Sequence, residues 1–282
     1  MAARRRVLVL GATGLLGAHL IRRFPGSFVT IAAPGRHGAI PSDPRVEWLP
    51  AGVDAADLRS VRAALEAARP DIVVNAIVAK PPSEPSILRQ VNAAFPHALA
   101  DLAESRGSRV VQVGTDGVFS GNRGDHAEDS APNPADAYGE TKLAGELAAP
   151  HTTLRTSFFG YSSRGAGLVA WLVNQRGSAV DGFVDYAFTG VAAPVLADLV
   201  AAAIDGSLTG LYHVGGERVT KYALMCRIAE RLRLDVVVRP ATAVPTDRSL
   251  NSRKFFAAIE RTPPTLADSL GALASCGAPS PN

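Results

Sequence analysis

Tyr138 and Lys142 stand four residues apart in the run Tyr138-Gly139-Glu140-Thr141-Lys142, a spacing that can move a proton. On a helix, residues i and i+4 share a face with Cβ atoms about 5–6 Å apart, so a phenol and an ammonium reach toward the same point. A free phenol has a pKa of about 10, and a nearby cation that stabilises phenolate brings it toward the working range. Upstream, Val113-Gly114-Thr115-Asp116 ends an apolar stretch on a hydroxyl. Thr115 can therefore hold, from the other side, a carbonyl oxygen offered to Tyr138. Such a trio gives a proton to oxygen while hydride reaches carbon, and the hydride must come from a cofactor.

A place for that cofactor is written near the start of the chain. Gly11-Ala12-Thr13-Gly14-Leu15-Leu16-Gly17 follows the apolar run Val7–Leu10 and opens a helical pattern. Glycines there let the backbone turn tightly and approach a pyrophosphate, whose charge then meets free N–H groups at the helix start. The spacing is GxxGxxG rather than GxGxxG. About twenty residues further on, an acid would bind the adenosine 2′-hydroxyl, whereas an arginine suits a 2′-phosphate. The segment Ala32-Ala33-Pro34-Gly35-Arg36-His37 carries Arg36 and no acid, so NADPH is expected in preference to NADH, with NADH still possible.

The elements that must position these residues follow from periodicity. Short apolar runs alternate with helical patterns: Val7–Leu10 and Leu15–Phe24, Phe28–Ala32, Leu58–Ala68 and Ile72–Asn75, one long helix over Ile87–Arg106, then Arg109–Val113. A helix from Tyr138 to Leu147 and a strand over Thr152–Arg155 complete the series. That alternation predicts an α/β fold, a doubly wound parallel sheet of Rossmann-like type. Residues 1–156 form the expected cofactor domain. Residues 157–282 form a smaller C-terminal substrate-binding lobe, with a segment near 184–206 returning to the core. Helices are expected at Gly167–Gln175, Pro194–Ile204 and Lys221–Leu232, and strands at Leu211–Val214 and Val236–Arg239. The Pro-, Ser- and Ala-rich tail from Thr262 is expected to be loosely held.

The bulk numbers narrow the partners. The chain has 282 residues, 47% hydrophobic and 20% charged, with a formal charge of +3. That is a globular composition with enough chain for a real core. No dense Lys/Arg stripe with interleaved aromatics marks a nucleic-acid binder, and the mild basicity suits an anionic small molecule. Cys226 and Cys276 are too few for a disulfide framework or a structural zinc site, which makes a reducing cytoplasm the expected compartment. The four-residue apolar run after Arg4-Arg5-Arg6 is too short for a signal peptide, and no stretch is long enough to span a bilayer.

A longer set of residues carries a resemblance. Gly114-Thr115-Asp116-Gly117-Val118-Phe119-Ser120-Gly121, then Glu128-Asp129, Pro132 and Asp136–Glu146, followed by Leu154–Gly160, Gly210–Val214 and Arg248-Ser249-Leu250, resemble the extended short-chain dehydrogenase/reductases. Within them the chain is similar to the dTDP-4-dehydrorhamnose reductase group and its nucleotide-sugar relatives, over most of its length. The resemblance implies Thr115, Tyr138 and Lys142 as the catalytic trio, with Lys142 also on the nicotinamide ribose. It implies Asn75 and Ala76 along the cofactor, Asn92 supporting the active site, and Asp116, Val118 and Phe119 facing the sugar. Arg155, Arg248, Arg253 and Lys254 are candidates for the substrate's diphosphate. The chain departs from the family's usual sequence at Gly117, over residues 78–84 and over residues 181–191.

The reaction expected from this set is reduction of a nucleotide-linked 4-keto-6-deoxy sugar, dTDP being the expected nucleotide, by a monomer or homodimer. An epimerase using the same trio and a non-catalytic cofactor-binding regulatory subunit are the alternatives. A dehydratase would carry Asp-Glu after the threonine, and this chain has Asp116-Gly117. Replacing Arg36 by Ala should narrow the preference for NADPH over NADH by about 10-fold or more, the scale of one charge-assisted contact. Comparing kcat/KM for the two cofactors in both proteins checks this.

Overall fold

Apolar residues that run without interruption along a short segment need cover on both faces, and here they receive it from helices on either side of one sheet. The computed structural model describes residues 4–34, 43–162, 165 and 167–276. The first half alternates β1 (Arg5–Leu10), α1 (Leu15–Arg23), β2 (Phe28–Ala33), β3 (Val46–Trp48), α2 (Leu58–Ala68), β4 (Ile72–Asn75), α3 (Pro85–Leu88), α4 (Phe95–Glu104), β5 (Arg109–Val113), α5 (Ala137–Ala144) and β6 (Thr152–Thr156). The second half contributes β7 (Phe158–Phe159), α6 (Leu168–Val173), β8 (Ser178–Phe183), β9 (Tyr186–Phe188), β10 (Val191–Ala192), α7 (Ala193–Asp205) and β11 (Gly210–Val214). It ends with β12 (Val219–Thr220), α8 (Lys221–Arg231), β13 (Val236–Ala241), β14 (Thr246–Asp247), α9 (Arg253–Ala258) and α10 (Leu266–Ser275).

Seven strands form one parallel sheet in the order β11-β6-β5-β4-β1-β2-β3. The order reverses between β1 and β4, and ligands of open α/β sheets collect in the crevice at the carboxyl ends of strands beside such a switch point. Val7, Leu8, Val9, Leu10, Val73 and Val74 are fully buried, each contributing about 1.5–3 kcal/mol of apolar burial. On one face they meet α1, α7 and α9 through Leu20, Leu196, Val200 and Phe255. On the other they meet α2 and α4 through Val61, Leu65, Phe95 and Leu99.

The second half threads back into this sheet. Helix α7 lies against α1, strand β11 extends the sheet beside β6, and α9 covers β11 with Phe255 and Phe256. Residues left over build a smaller lobe: the β8-β13 ribbon, the β12-β9-β14 sheet and helices α6, α8 and α10 around Val169, Leu172, Leu224, Ile228 and Leu273. Among the described residues no helix is long and apolar enough to cross a membrane.

Two expectations are corrected. The helix foreseen over Ile87–Arg106 is interrupted, because residues Arg89–Ala94 take a π-helical turn between α3 and α4. Such turns insert one residue per bond and are frequent at functional sites. The tail is not loosely held throughout. Thr265 and Asp268 form a reciprocal capping box at the start of α10, and Leu270 and Leu273 are buried in the lobe. Its proline and serine content suggested disorder, but the apolar residues at 266, 270 and 273 share one helical face.

The glycine turn depends on close packing. Gly11 has φ +77°, and a Cβ on Gly17 would strike the Gly11 carbonyl and come within 2.7 Å of the Ala12 Cα. Backbone on both sides cannot yield. Gly17→Ala should cost about 1–3 kcal/mol, whereas Gly26→Ala, where nothing lies within 4 Å, should stay within about 0.5 kcal/mol. Urea denaturation of the two variants checks the difference.

Candidate active site

The end of β5 turns sharply, and the turn is what gathers the site. Thr115 caps a short 3₁₀ turn, Asp116–Val118, by accepting a hydrogen bond from the Gly117 N–H at 3.1 Å. Helix α5 starts beside it, because the Asp136 carboxylate accepts from the Gly139 N–H at 2.7 Å. Gly139 has no side chain where a Cβ would meet the Gly117 carbonyl. The helix can therefore lie directly on the turn, and the Tyr138 phenol comes within hydrogen-bond reach of the Thr115 hydroxyl.

Tyr138 and Thr115 thus converge, but Lys142 does not join them as expected. Burial pushes the Tyr138 phenol up to about 12, the Thr115 hydrogen bond opposes this, and Asp116 and Asp136 add to the rise. The Lys142 Nζ instead donates to the Val113 carbonyl at 2.7 Å, and the residue is 4% exposed. The expectation of a phenol lowered by its neighbouring ammonium is corrected on this point. A desolvated ammonium needs an acceptor, and the carboxyl end of β5 supplies one. Desolvation brings Lys142 down to about 8, with Glu146 raising it and Lys80 lowering it.

Asn92 ties the remaining wall together from the π-helical turn. Its Nδ2 donates to the Ala79 carbonyl at 2.9 Å and to the Thr141 hydroxyl at 3.3 Å, and its Oδ1 accepts from the Ala79 N–H at 2.9 Å. One buried amide therefore fixes the loop after β4 to helix α5. Asn75 behaves differently from expectation. Its Nδ2 donates to Gln112 at 2.8 Å and its Oδ1 accepts from the Ile77 N–H at 3.2 Å, so its side chain is used inside the sheet.

Of the residues expected at the sugar, Asp116 keeps part of its surface and Val118 and Phe119 do not. Both of the latter have no exposed surface, and Phe119 stacks on His126 with ring centroids 3.8 Å apart. The 3₁₀ turn sends its polar first residue outward and its apolar residues inward. The Asp116 residue retains some surface, but Thr115, Ser157 and Arg248 enclose its carboxyl. Desolvation pushes it up to about 6, against the pull of the Arg248 charge and of hydrogen bonds from Ser157 and Thr115.

The basic candidates separate just as clearly. Arg155 is 3% exposed and held bidentately by Glu146, at 2.6 Å from Nε and 2.8 Å from Nη2, so it is a core residue. Lys254 donates to the Leu211 carbonyl at 2.7 Å and sits over the Tyr212 ring. Arg253 lines a separate cleft with Ser252 and Gly216. Arg248 remains: its Nη1 lies beside Gly117, and its buried Nε has no protein partner. Tyr186 and Lys221 from the smaller lobe join it, with the Lys221 Nζ 3.5 Å from the Tyr186 ring centroid and burial lowering the amine. The sequence gives no local signal for either. Ser157 follows β6 at the carboxyl edge of the sheet and could have been found by that rule.

The backbone of the glycine turn fits a dinucleotide's pyrophosphate. Gly14 caps α1 with no side-chain hydrogen bond and no acid in the first turn, so the N–H groups there suit an anion. Gly11 is tight against the Ala76 carbonyl, 3.1 Å from a built Cβ. Thr13 and Leu16 are buried beneath the turn, and Leu15 faces Gly160. Arg36 lies outside the described residues.

The family model described as RmlD substrate binding domain matches residues 5–262. Methionine adenosyltransferase 2 subunit beta of Xenopus tropicalis is 28% identical over 271 residues, covering 86% of this chain and 76% of that protein. The dTDP-4-dehydrorhamnose reductase of Escherichia coli K12 is 33% identical over 215 residues, covering 68% and 71%. The crystal structure of dTDP-4-dehydrorhamnose reductase from Bacillus anthracis in complex with NADP superposes with a TM-score of 0.82 at 20% identity, covering 97% of this chain and all of that one. That likeness concerns the fold.

The raised carboxyl has a consequence for stability. The unfolded chain releases the Asp116 proton near 3.8 and the folded chain near 6, so the folded state holds more protons between those values. Stability contributed at this site therefore falls as pH rises through that window, by at most ~3 kcal/mol. Asp116→Asn should remove this fall, giving a flatter unfolding free energy between pH 4 and about 6 in urea titrations.

Proposed function

The chain belongs to the RmlD substrate binding domain family, and from that premise we propose that it uses NADPH to reduce the 4-keto group of a dTDP-linked 4-keto-6-deoxy sugar. The observation that carries the reading is the convergence of the Tyr138 phenol, at the start of α5, on the Thr115 hydroxyl at the end of β5. When bound, the nicotinamide supplies the hydride. The glycine turn from Gly11 to Gly17 and the start of α1 hold the pyrophosphate, Ala76 borders the dinucleotide, and Arg36 takes the 2′-phosphate.

Thr115 holds the substrate's carbonyl oxygen, and Tyr138 gives it the proton. A phenol pushed up to about 12 is fully protonated at neutral pH, which is the form an acid needs at the start of the step. Lys142, seated at the end of β5 by the Val113 carbonyl, binds the nicotinamide ribose. Arg248 and Lys221 balance the substrate's diphosphate, and Asp116 with Ser157 accepts the sugar's hydroxyls. The protein works in the cytoplasm as a monomer or homodimer, with no nucleic-acid or membrane partner. Its composition and two free thiols support this.

A second reading has its own support. The relatives named methionine adenosyltransferase 2 subunit beta match over more of the chain than the reductase does, 86% against 68%. On that reading the chain binds the cofactor and regulates a partner enzyme.

The deciding experiment incubates the protein and NADPH with a panel of dTDP-4-keto-6-deoxy sugars and identifies each product's stereochemistry by NMR. Stoichiometric cofactor oxidation is expected, with Tyr138→Phe lowering kcat by about 10²–10⁴ and leaving KM nearly unchanged. Isomerised substrate with NADPH intact would replace the reductase by an epimerase. No turnover on any sugar, together with altered methionine adenosyltransferase activity on mixing, would favour the regulatory role.

A further inference from the structure

Glu146 is a half-buried carboxylate that the reaction above leaves without a task. It follows Lys142 by four residues, just past the end of α5, and its side chain is 15% exposed. Gly145 makes this position possible, since a Cβ there would run into the Asn92 carbonyl. The chain therefore descends against the π-helical turn and directs Glu146 toward β6. Both carboxylate oxygens are taken by Arg155, which is itself 3% exposed. Arg155 is secured in turn. Its Nη1 donates to the His213 Nε2 at 3.2 Å, the His213 Nδ1 donates to the His126 carbonyl at 2.8 Å, and its guanidinium lies 5.3 Å from the Phe119 ring centroid.

A salt bridge so enclosed is costly to desolvate, and a well-packed apolar pair would serve stability as well or better. Its rigidity suggests a different use. A carboxylate clamped at both oxygens cannot swing out to meet water, and it cannot collapse onto Lys142. It stays as a fixed carboxylate, four residues along the chain from an ammonium that is 4% exposed and held by a single carbonyl.

We propose that Glu146 is a positioning residue, clamped by Arg155 so that its fixed charge keeps the buried Lys142 ammonium protonated and seated at the end of β5. This rests on the reductase reading of Lys142 and adds to it a residue that touches neither substrate nor cofactor. The charged groups facing Lys142 agree with the assignment. Glu146 raises it, while Lys80 from the loop after β4 lowers it. Tyr138 stands on the same face of α5. Facing Glu146 are Arg155 on β6 and, beyond it, His213 on β11, which burial keeps neutral with a pKa near 4.

The chain has four lysines, Lys80, Lys142, Lys221 and Lys254, so the ε-carbon of Lys142 can be followed by NMR in lysine-labelled protein. The native Lys142 is expected to titrate near 8. Glu146→Gln should lower that midpoint by about one unit, the smaller end of the effect of a nearby opposite charge, and Glu146→Asp should restore most of it. The basic limb of the pH–rate profile should move with the midpoint, so activity falls more at high pH than at neutral pH. A midpoint unchanged in folded Glu146→Gln, with activity lost equally at all pH, overturns the proposal and leaves Glu146 a packing residue. Should Arg155 left unpaired prevent folding, the double variant Glu146→Gln with Arg155→Met removes both charges and should still show the lower midpoint. The same midpoint as native in that folded double variant also overturns the proposal. A native protein that oxidises no NADPH, while Glu146→Gln still shifts Lys142, sinks the reductase reading and sustains this one.

Discussion

Helix α5 can touch the end of β5 only because glycines stand where it makes its closest approaches. Gly139 lies on the Gly117 carbonyl and Gly145 on the Asn92 carbonyl, and a methyl group at either place would meet backbone. Backbone has nowhere to go in a closely packed interior, so these two contacts decide how near Tyr138 comes to Thr115. Asn92 makes the same junction from the other side, with three hydrogen bonds spanning the loop after β4 and helix α5. The π-helical turn carries Asn92 into this junction.

Burial at this junction then sets the charges. Tyr138, Lys142 and Asp116 are all displaced in the direction that desolvation dictates, the phenol and carboxyl upward and the amine downward. Low solvation makes each neighbouring charge count for more than it would on the surface. The site therefore has a second layer of control in residues that never face the crevice, of which Arg155 is the plainest. It has a guanidinium of the type suited to phosphate, yet Glu146 and the underlying rings hold it inside.

The two sides of the crevice differ in how the chain builds them. The glycine turn is local: one strand, one turn and one helix, read within about twenty residues. The surroundings of Asp116 draw Ser157, Tyr186, Lys221 and Arg248 from four separate segments brought together by the return of the second half to the main sheet. Relatives that share the fold include a dTDP-sugar reductase and a subunit of methionine adenosyltransferase, which is how one scaffold comes to host different functions.

Sequence by itself determined the alternation of strands and helices, the glycine turn and the spacing of Tyr138 and Lys142, because periodicity and turn chemistry act between near neighbours. Helix α2 and strands β4 and β5 fall where their apolar patterns place them. Only the tertiary structure decided that Phe119 and Arg155 point inward, that Arg248 comes beside Asp116 and Gly117, and that Lys142 reaches for Val113 rather than for the phenol. Those outcomes depend on which polar group a buried charge can find and on which face a short turn presents. Both are settled by contacts between residues far apart in the chain, where spacing carries no information.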